Sequence, residues 1–168
     1  REGEVCGVKA RIFRISFTGE LSYEVNVPAR YGRYVWEKFM EHGKKYNITP
    51  YGTETMHVLR AEKGFIIVGQ DTDGSVTPSD MNMDWIVSKK KEDFLGKRSF
   101  TRSDTVRHDR KKFVGLLVND KKTILPEGSH IVEKALKQPP MKMLGHVTSS
   151  YYSPTLGYPI ALAMLKDG

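Results

Sequence analysis

The chain has 168 residues, with 27 Lys and Arg against 20 Asp and Glu for a net charge of +7, and 39% hydrophobic and 28% charged residues. That balance gives enough apolar chain for a sizeable core and excludes a disordered or collagen-like polymer. No apolar run approaches the roughly 20 residues of a spanning helix, and no basic-then-apolar signal pattern opens the chain, so a cytoplasmic protein is expected. Cys6 is the single cysteine, which excludes an internal disulfide. Position 1 is Arg rather than Met, and the chain reads as a piece of a longer polypeptide.

In chain order, Phe13, Ile15 and Phe17 alternate with Arg14 and Ser16, and Leu21, Tyr23, Val25 and Val27 alternate with Ser22, Glu24 and Asn26. Period two on both sides of Thr18-Gly19-Glu20 predicts an antiparallel hairpin with one apolar and one polar face. Glu24 falls on the polar face. There it is either a solvated strand carboxylate or an acceptor for the paired N–H donors of a guanidinium-like ligand edge, such as the amino-pyrimidinone of a pterin.

Pro28 opens a helix in which Tyr31, Val35, Trp36, Phe39 and Met40 recur at helical spacing to about Gly43, a stripe that reads as core. Pro50 and Gly52 break the chain. Thr53 is the expected N-cap of a second helix ending at Gly64, its C′ residue. Arg60 lies in that helix's last turn, where the dipole favours a cation by about 0.3–1 kcal/mol. Tyr23 and Trp85 read either as packing residues or as stacking platforms.

From about residue 107 the texture changes to short strands at 113–118, 129–132, 143–148 and 160–165, with turns at 124–128 and 138–140. This predicts a small antiparallel barrel or jelly roll over 107–168, after an α+β unit over 1–106. In the α+β unit a hairpin and two helices rest on an antiparallel sheet. Its strands in 11–27 and 85–87 would pair with strands outside this piece, because an open sheet edge invites association.

The basic runs Lys89-Lys90-Lys91, Lys97-Arg98 and 107–112 flank predicted turns, contain acidic residues and lack interleaved aromatics. They read as solvated surface rather than a nucleic-acid groove, with a milder role in concentrating an anionic substrate. The five histidines are scattered and no metal-ligand spacing occurs. Asp71-Thr72-Asp73-Gly74 hints at a calcium loop but has Asn82 where the closing Glu belongs, so a turn is expected. No dinucleotide fingerprint or nucleophile elbow is present.

Three blocks carry a resemblance over nearly the whole chain. The first is Gly19-Glu20-Leu21-Ser22-Tyr23-Glu24. The second comprises Leu59-Arg60-Ala61-Glu62-Lys63-Gly64, Gly69-Gln70-Asp71, Thr77-Pro78, Asp84-Trp85 and Phe94-Leu95-Gly96-Lys97. The third comprises Leu144 to Ser150 and Ser153-Pro154-Thr155-Leu156. Together they resemble the aminomethyltransferase family, which includes the T-protein of the glycine cleavage system and folate-dependent oxidases. The wording of Thr53 to Arg60 and Val68 to Gly74 is closest to the alpha-subunit branch of heterotetrameric sarcosine oxidases.

The resemblance implies a tetrahydrofolate-binding domain that captures the one-carbon unit released from an N-methyl amine. It implies Glu24 and Arg60 as folate contacts, with Tyr23 and Trp85 as weaker candidates; Glu62 reads either as a partner of Arg60 or as a support for the helix. It places the catalytic acid in a preceding half of the domain, so no residue here is assigned that role and Asp71 and Asp84 lie outside the matching motif. It also implies FMN or FAD and NAD bound elsewhere in the intact enzyme, and as partners the other subunits and the rest of the alpha chain. A domain of the same fold that only holds subunits together, without catalysis, is the competing expectation.

Overall fold

Cys6 and Gly7 both take positive φ, 52° and 74°, which gives a tight turn whose twist suits a hairpin. In the computed structural model, which describes residues 1–168, this turn joins β1 (Glu2–Val5) to β2 (Val8–Phe13). β2 pairs on its other side with β3 (Glu24–Asn26), giving an antiparallel sheet of order β1-β2-β3. Val8 and Ala10 of β2 are buried while Lys9 and Arg11 are exposed, the alternation a half-buried strand requires. The chain groups into two units, Arg1–Phe65 and Ile66–Gly168; residue 106 falls inside the second.

The expected hairpin is present in direction but not in polarity: Ile12 pairs with Val25 and Phe13 with Glu24, so Phe13 lies on the polar face, and the ladder stops early because residues 14–23 form a loop. Thr18 is buried, and Gly19, at φ +83°, lies so close to the Lys63 side chain that a Cβ would overlap its methylenes. The loop therefore folds back on the end of the second helix instead of extending the strands. Gly19 permits both the close approach and the left-handed φ.

A short 3-10 turn after Pro28 leads into α1 (Gly32–Gly43). Its apolar stripe is not core as the spacing predicts. Val35 is its single buried residue, whereas Trp36 is 55% and Phe39 38% exposed. α2 (Thr53–Glu62) has Gly52, not Thr53, at its N-cap. Its end follows the expectation closely. Gly64 takes φ +72°, Gly64 N–H donates to Ala61 O at 3.0 Å, and Phe65 N–H donates to Arg60 O at 2.8 Å. This is the Schellman pattern, which satisfies the carbonyls a helix leaves open.

In the second unit β4 (Lys111–Leu117), β5 (His130–Val132), β6 (Met143–Ser153) and β7 (Tyr158–Lys166) form an antiparallel sheet of order β4-β7-β6-β5. Val147 and Ile160 to Met164 supply its buried core. The four strands fall where the short runs between Gly and Pro turns place them, although β6 and β7 run longer. The stretch 85–87, expected as a strand, is not one. Asp84–Ile86 is a 3-10 turn closed by Val87 N–H on Asp84 O at 3.1 Å, because local hydrogen bonds take the groups that a sheet neighbour would need.

Two buried carboxylates organise the loops of this unit. Asp71, 1% exposed, accepts from Ile67 N–H at 2.8 Å, Thr148 Oγ1 at 2.5 Å and Ser149 Oγ at 2.7 Å. The β6 register shifts between Val147 and Ser149, and a bulge of this kind re-aims side chains, here both hydroxyls toward one carboxylate. Asp80, also 1% exposed, accepts from Arg110 Nη2 at 2.6 Å and Nε at 2.9 Å, and from Thr77 N–H and Oγ1 at 2.8 Å. Arg110 also donates to Ser75 O and Asp104 O, and Phe113 N–H donates to Asp80 O.

Burial pushes the Asp80 carboxyl up, but the Arg110 hydrogen bonds and those from Thr77 outweigh it and hold it below its ordinary value. A carboxyl lowered in this way adds stability that is complete above about pH 4 and is lost as pH falls through its folded value. Asp80→Asn, which leaves Arg110 without its charge partner, is expected to cost about 3 kcal/mol at pH 7. Denaturant melts of the two proteins should converge below pH 4. At Gly145 a Cβ would overlap Met164 O and Leu165 Cα, both backbone atoms that cannot move aside. Gly145→Ala is expected to destabilise the second unit by about 2–4 kcal/mol in the same measurement.

Candidate functional site

The β2–β3 register sets Phe13 opposite Glu24 and Arg11 opposite Asn26, and the β1–β2 register sets Glu2 opposite Arg11 and Glu4 opposite Lys9. Directly paired residues share a face, so this face carries Glu2, Glu4, Lys9, Arg11, Phe13, Glu24 and Asn26. Glu2 pairs with Arg11 at 3.3 Å, and Asn26 Nδ2 donates to Glu24 Oε1 at 3.3 Å. The Glu24 carboxylate is exposed beside that single side-chain partner.

Three open concavities follow the hairpin. The largest, about 790 Å³, is walled by Glu2, Glu4, Lys9, Arg11, Phe13 and Asn26 among others. A second of about 540 Å³ is walled by Ile12, Phe13, Arg14, Ile15 and Tyr23, with Arg1. A third of about 310 Å³ runs from Arg14 through Ser16 to Gly19, Glu20 and Ser22. Glu24 itself lines none of the three; its cross-strand partner Phe13 lines the first two, and its hydrogen-bond partner Asn26 lines the first.

The four residues singled out in the sequence are placed differently. Tyr23, 61% exposed, lines the second concavity next to Glu24. Arg60, 0% exposed, is shielded from solvent and donates from Nη1 to Phe65 O at 3.1 Å, within the loop that closes α2. It lines none of the three concavities. Trp85, 77% exposed, belongs to the second unit. Tyr23 thus shares a concavity with Phe13, the cross-strand partner of Glu24, while Arg60 is held beneath the surface.

Arg14 was not singled out, yet it lines both the second and third concavities. The signal was in the alternation, which puts a cation in the polar series running Arg14, Ser16. The Gly69-Gln70-Asp71 and Val147-Thr148-Ser149 blocks bond to each other. Besides the Asp71 bonds, Gln70 Nε2 donates to Ser149 Oγ at 3.2 Å, Thr148 O at 3.3 Å and Glu127 Oε1 at 3.1 Å. Their pairing is structural and follows from burial of polar groups that need partners.

Much of the basic run 107–112 is committed. Arg107 holds Asp109 at 2.6 Å, keeping its carboxyl down at about 2, Arg110 holds Asp80, and Lys112 donates to Ser79 O. Asp73 Oδ1 accepts from Ser75 N–H and Oγ, an Asx turn where a turn is expected. His130 and His146 face each other across β5 and β6, and burial followed by the Lys111 charge holds His146 below its ordinary value. No three His, Cys, Asp or Glu side chains converge to hold a metal ion, and no helix is long and apolar enough to cross a membrane.

Residues 1–91 match the family model described as the GCVT N-terminal domain, and residues 111–168 match the glycine cleavage T-protein C-terminal barrel domain. Among curated proteins, the sarcosine oxidase subunit alpha of Corynebacterium sp. (strain U-96) is 56% identical over 164 residues, 96% of this chain and 17% of that protein. The sarcosine oxidase subunit alpha of Rhizobium meliloti (strain 1021) is 41% identical over 94% of this chain and 16% of its own length. An aminomethyltransferase of Thermotoga maritima is 30% identical over 99% of this chain and 43% of its own. The chain thus spans about a sixth of the oxidase subunits and under half of the aminomethyltransferase. The solved aminomethyltransferase T of the Bartonella henselae glycine cleavage system superposes with a TM-score of 0.77, at 24% identity, over 93% of this chain and 41% of that one. The α+β architecture and the antiparallel C-terminal sheet are those of that fold. By the two family models and the curated relatives, this chain belongs to the glycine cleavage T-protein (aminomethyltransferase) family.

Proposed function

We propose that this chain is the tetrahydrofolate-binding part of a sarcosine oxidase alpha subunit, where the one-carbon unit from oxidative demethylation of sarcosine is captured as methylenetetrahydrofolate. Similarity to the oxidase alpha subunits supports the assignment. The observation that carries the folate reading is the exposed Glu24 carboxylate, held on a strand face by the β2–β3 register and braced by Asn26.

A carboxylate so placed fits an edge bearing two parallel N–H donors, the pattern of a pterin's amino-pyrimidinone. Tetrahydrofolate, when bound, supplies the nitrogen nucleophile that accepts the one-carbon unit. The protein's contribution is to hold and orient it. Glu24 fixes the pterin, Tyr23 offers a ring beside it, and Arg60 acts through the Phe65 carbonyl, holding the chain that leaves α2. Trp85 is retained as a weaker contact.

In this reading residues 1–106 are the later part of the folate-binding unit and 107–168 the small barrel. The catalytic acid, the flavin and the NAD sites lie in other parts of a cytoplasmic multisubunit enzyme. The remaining alpha chain and the other subunits are its partners, and sarcosine or a related N-methyl amine is the donor. The exposed Trp36, Phe39, Leu21 and Tyr46 of the first unit favour a second reading, a subunit-holding module without catalysis, in which these apolar side chains meet a partner.

Calorimetric titration of the full-length protein with tetrahydrofolate under anaerobic conditions separates the two. Glu24→Gln keeps the shape and one acceptor but loses the charge. It is expected to weaken binding about tenfold or more, as for a hydrogen bond to a charged group. Unchanged binding in the variant removes the pterin anchor from Glu24, and absence of binding in the wild type favours the holding module.

A further inference from the structure

We propose that Arg14 is the receptor for a carboxylate on the ligand held by Glu24, which on the folate reading is the glutamate of the benzoylglutamate tail. This rests on that reading and assigns the tail to the 14–23 loop.

Arg14 lines both the concavity of about 540 Å³ that contains Tyr23 and the concavity of about 310 Å³ that contains Ser16. Its guanidinium forms no hydrogen bond or ion pair within the chain, unlike Arg11, Arg33, Arg107 and Arg110, which all hold a carboxylate. A guanidinium offers five donors in a fixed fork that matches a carboxylate at two points. Its neighbours Phe13, Ile15 and Tyr23 are apolar or aromatic, which suits an aryl group on the way to that charge. The Ser16 hydroxyl is shielded from solvent and has no hydrogen-bond partner. An unpaired hydroxyl of this kind costs about 1–3 kcal/mol, but Ser16 lies on the third concavity beside Glu20, so the carboxylate's partner is the guanidinium and not this hydroxyl.

The loop is held in place for this role. Thr18 is buried, and Gly19 packs on the Lys63 side chain, so Arg14 and Tyr23 sit at the two ends of a loop with a fixed middle. Glu20 lines the third concavity but not the second. A carboxylate is therefore expected on the Tyr23 side of Arg14, away from that like charge. A ligand with donors at one end, an aromatic ring and a carboxylate at the other then meets Glu24 on the strand face and, past its cross-strand partner Phe13, the concavity that Phe13, Tyr23 and Arg14 line together.

The test compares tetrahydrofolate with 6-methyltetrahydropterin, which keeps the donor edge and lacks the benzoylglutamate, as titrants of the full-length wild type, Arg14→Gln and Glu24→Gln proteins. Arg14→Gln is expected to weaken tetrahydrofolate about tenfold while leaving the pterin affinity unchanged, and Glu24→Gln to weaken both. Retained pterin binding also shows that Arg14→Gln is folded. If Arg14→Gln binds tetrahydrofolate as the wild type does, or loses both ligands equally, the tail assignment to Arg14 is overturned while the folate reading stands. If the wild type binds neither ligand, the folate reading falls and this assignment falls with it.

Discussion

Ile12 lies opposite Val25, and that pairing decides the chemistry of the first unit. Val8 and Ala10 are buried on the same side of β2 as Ile12, so the apolar set has one inward face and Glu24, next to Val25, must point the other way. Because strand side chains alternate, a slip of one residue would turn Glu24 inward and Val25 out. Burying an unpaired carboxylate costs far more than exposing a valine, so the hydrophobic pattern protects the position of the acid without touching it. The Cys6-Gly7 turn fixes the register of β1 in the same way, and with it the Glu2–Arg11 pair that borders the largest concavity. That exposed pair is worth little energetically; its place is set by the ladder, not the reverse.

The second unit buries polar groups beside its apolar core. Ser149 and Ser153 are 0% exposed, and Asp71 and Asp80 are each 1% exposed. Such groups are tolerated when donors converge on them, as Thr148, Ser149 and the Ile67 amide do on Asp71, and Arg110 and Thr77 do on Asp80. An apolar replacement of similar shape could be as stable, whereas removing one partner leaves the other stranded. What these clusters add is specificity of loop placement. The Asp80 cluster ties residues 75–80 to the chain entering β4, and the Asp71 cluster ties residues 67–71 to β6 at its bulge.

The legible parts of the sequence were those where one physical requirement dominates. Gly64 was readable as a C′ residue because few side chains accept its φ of +72°, and the four C-terminal strands were readable as short runs between Gly and Pro turns. β1 was not, since Glu2, Gly3 and Glu4 carry no apolar rhythm and the Cys6-Gly7 turn is an uncommon pair for that geometry. The ladder end at Phe13 was hidden too, because Ile15, Phe17 and Leu21 alternate as well as strand residues do. Docking of Thr18 and Gly19 on α2 overrides them. A cation in a last helical turn can face water or interior, so Arg60's burial could not be read from its position. The exposed aromatics of α1 show the converse: periodicity tells which residues share a face, not what covers that face.

Net charge was the least informative global quantity. Much of the basic run 107–112 is tied to Asp109, Asp80 and Ser79, and solvent-exposed lysines act over no more than about 8–10 Å at physiological salt. What distinguishes the hairpin surface is the local order of charge: an acid at Glu24, rings at Phe13 and Tyr23, and an unpaired cation at Arg14. A nucleic acid, anionic along its whole length, would meet Glu24, Glu2 and Glu4 as like charges on a face whose cations are only Lys9 and the Glu2-paired Arg11. A ligand with a donor edge at one end and a carboxylate at the other meets a complement at each end. Complementarity of this kind governs specificity through the mismatches it rejects, so the discriminating feature of the surface is its polarity along the hairpin, from acid to cation.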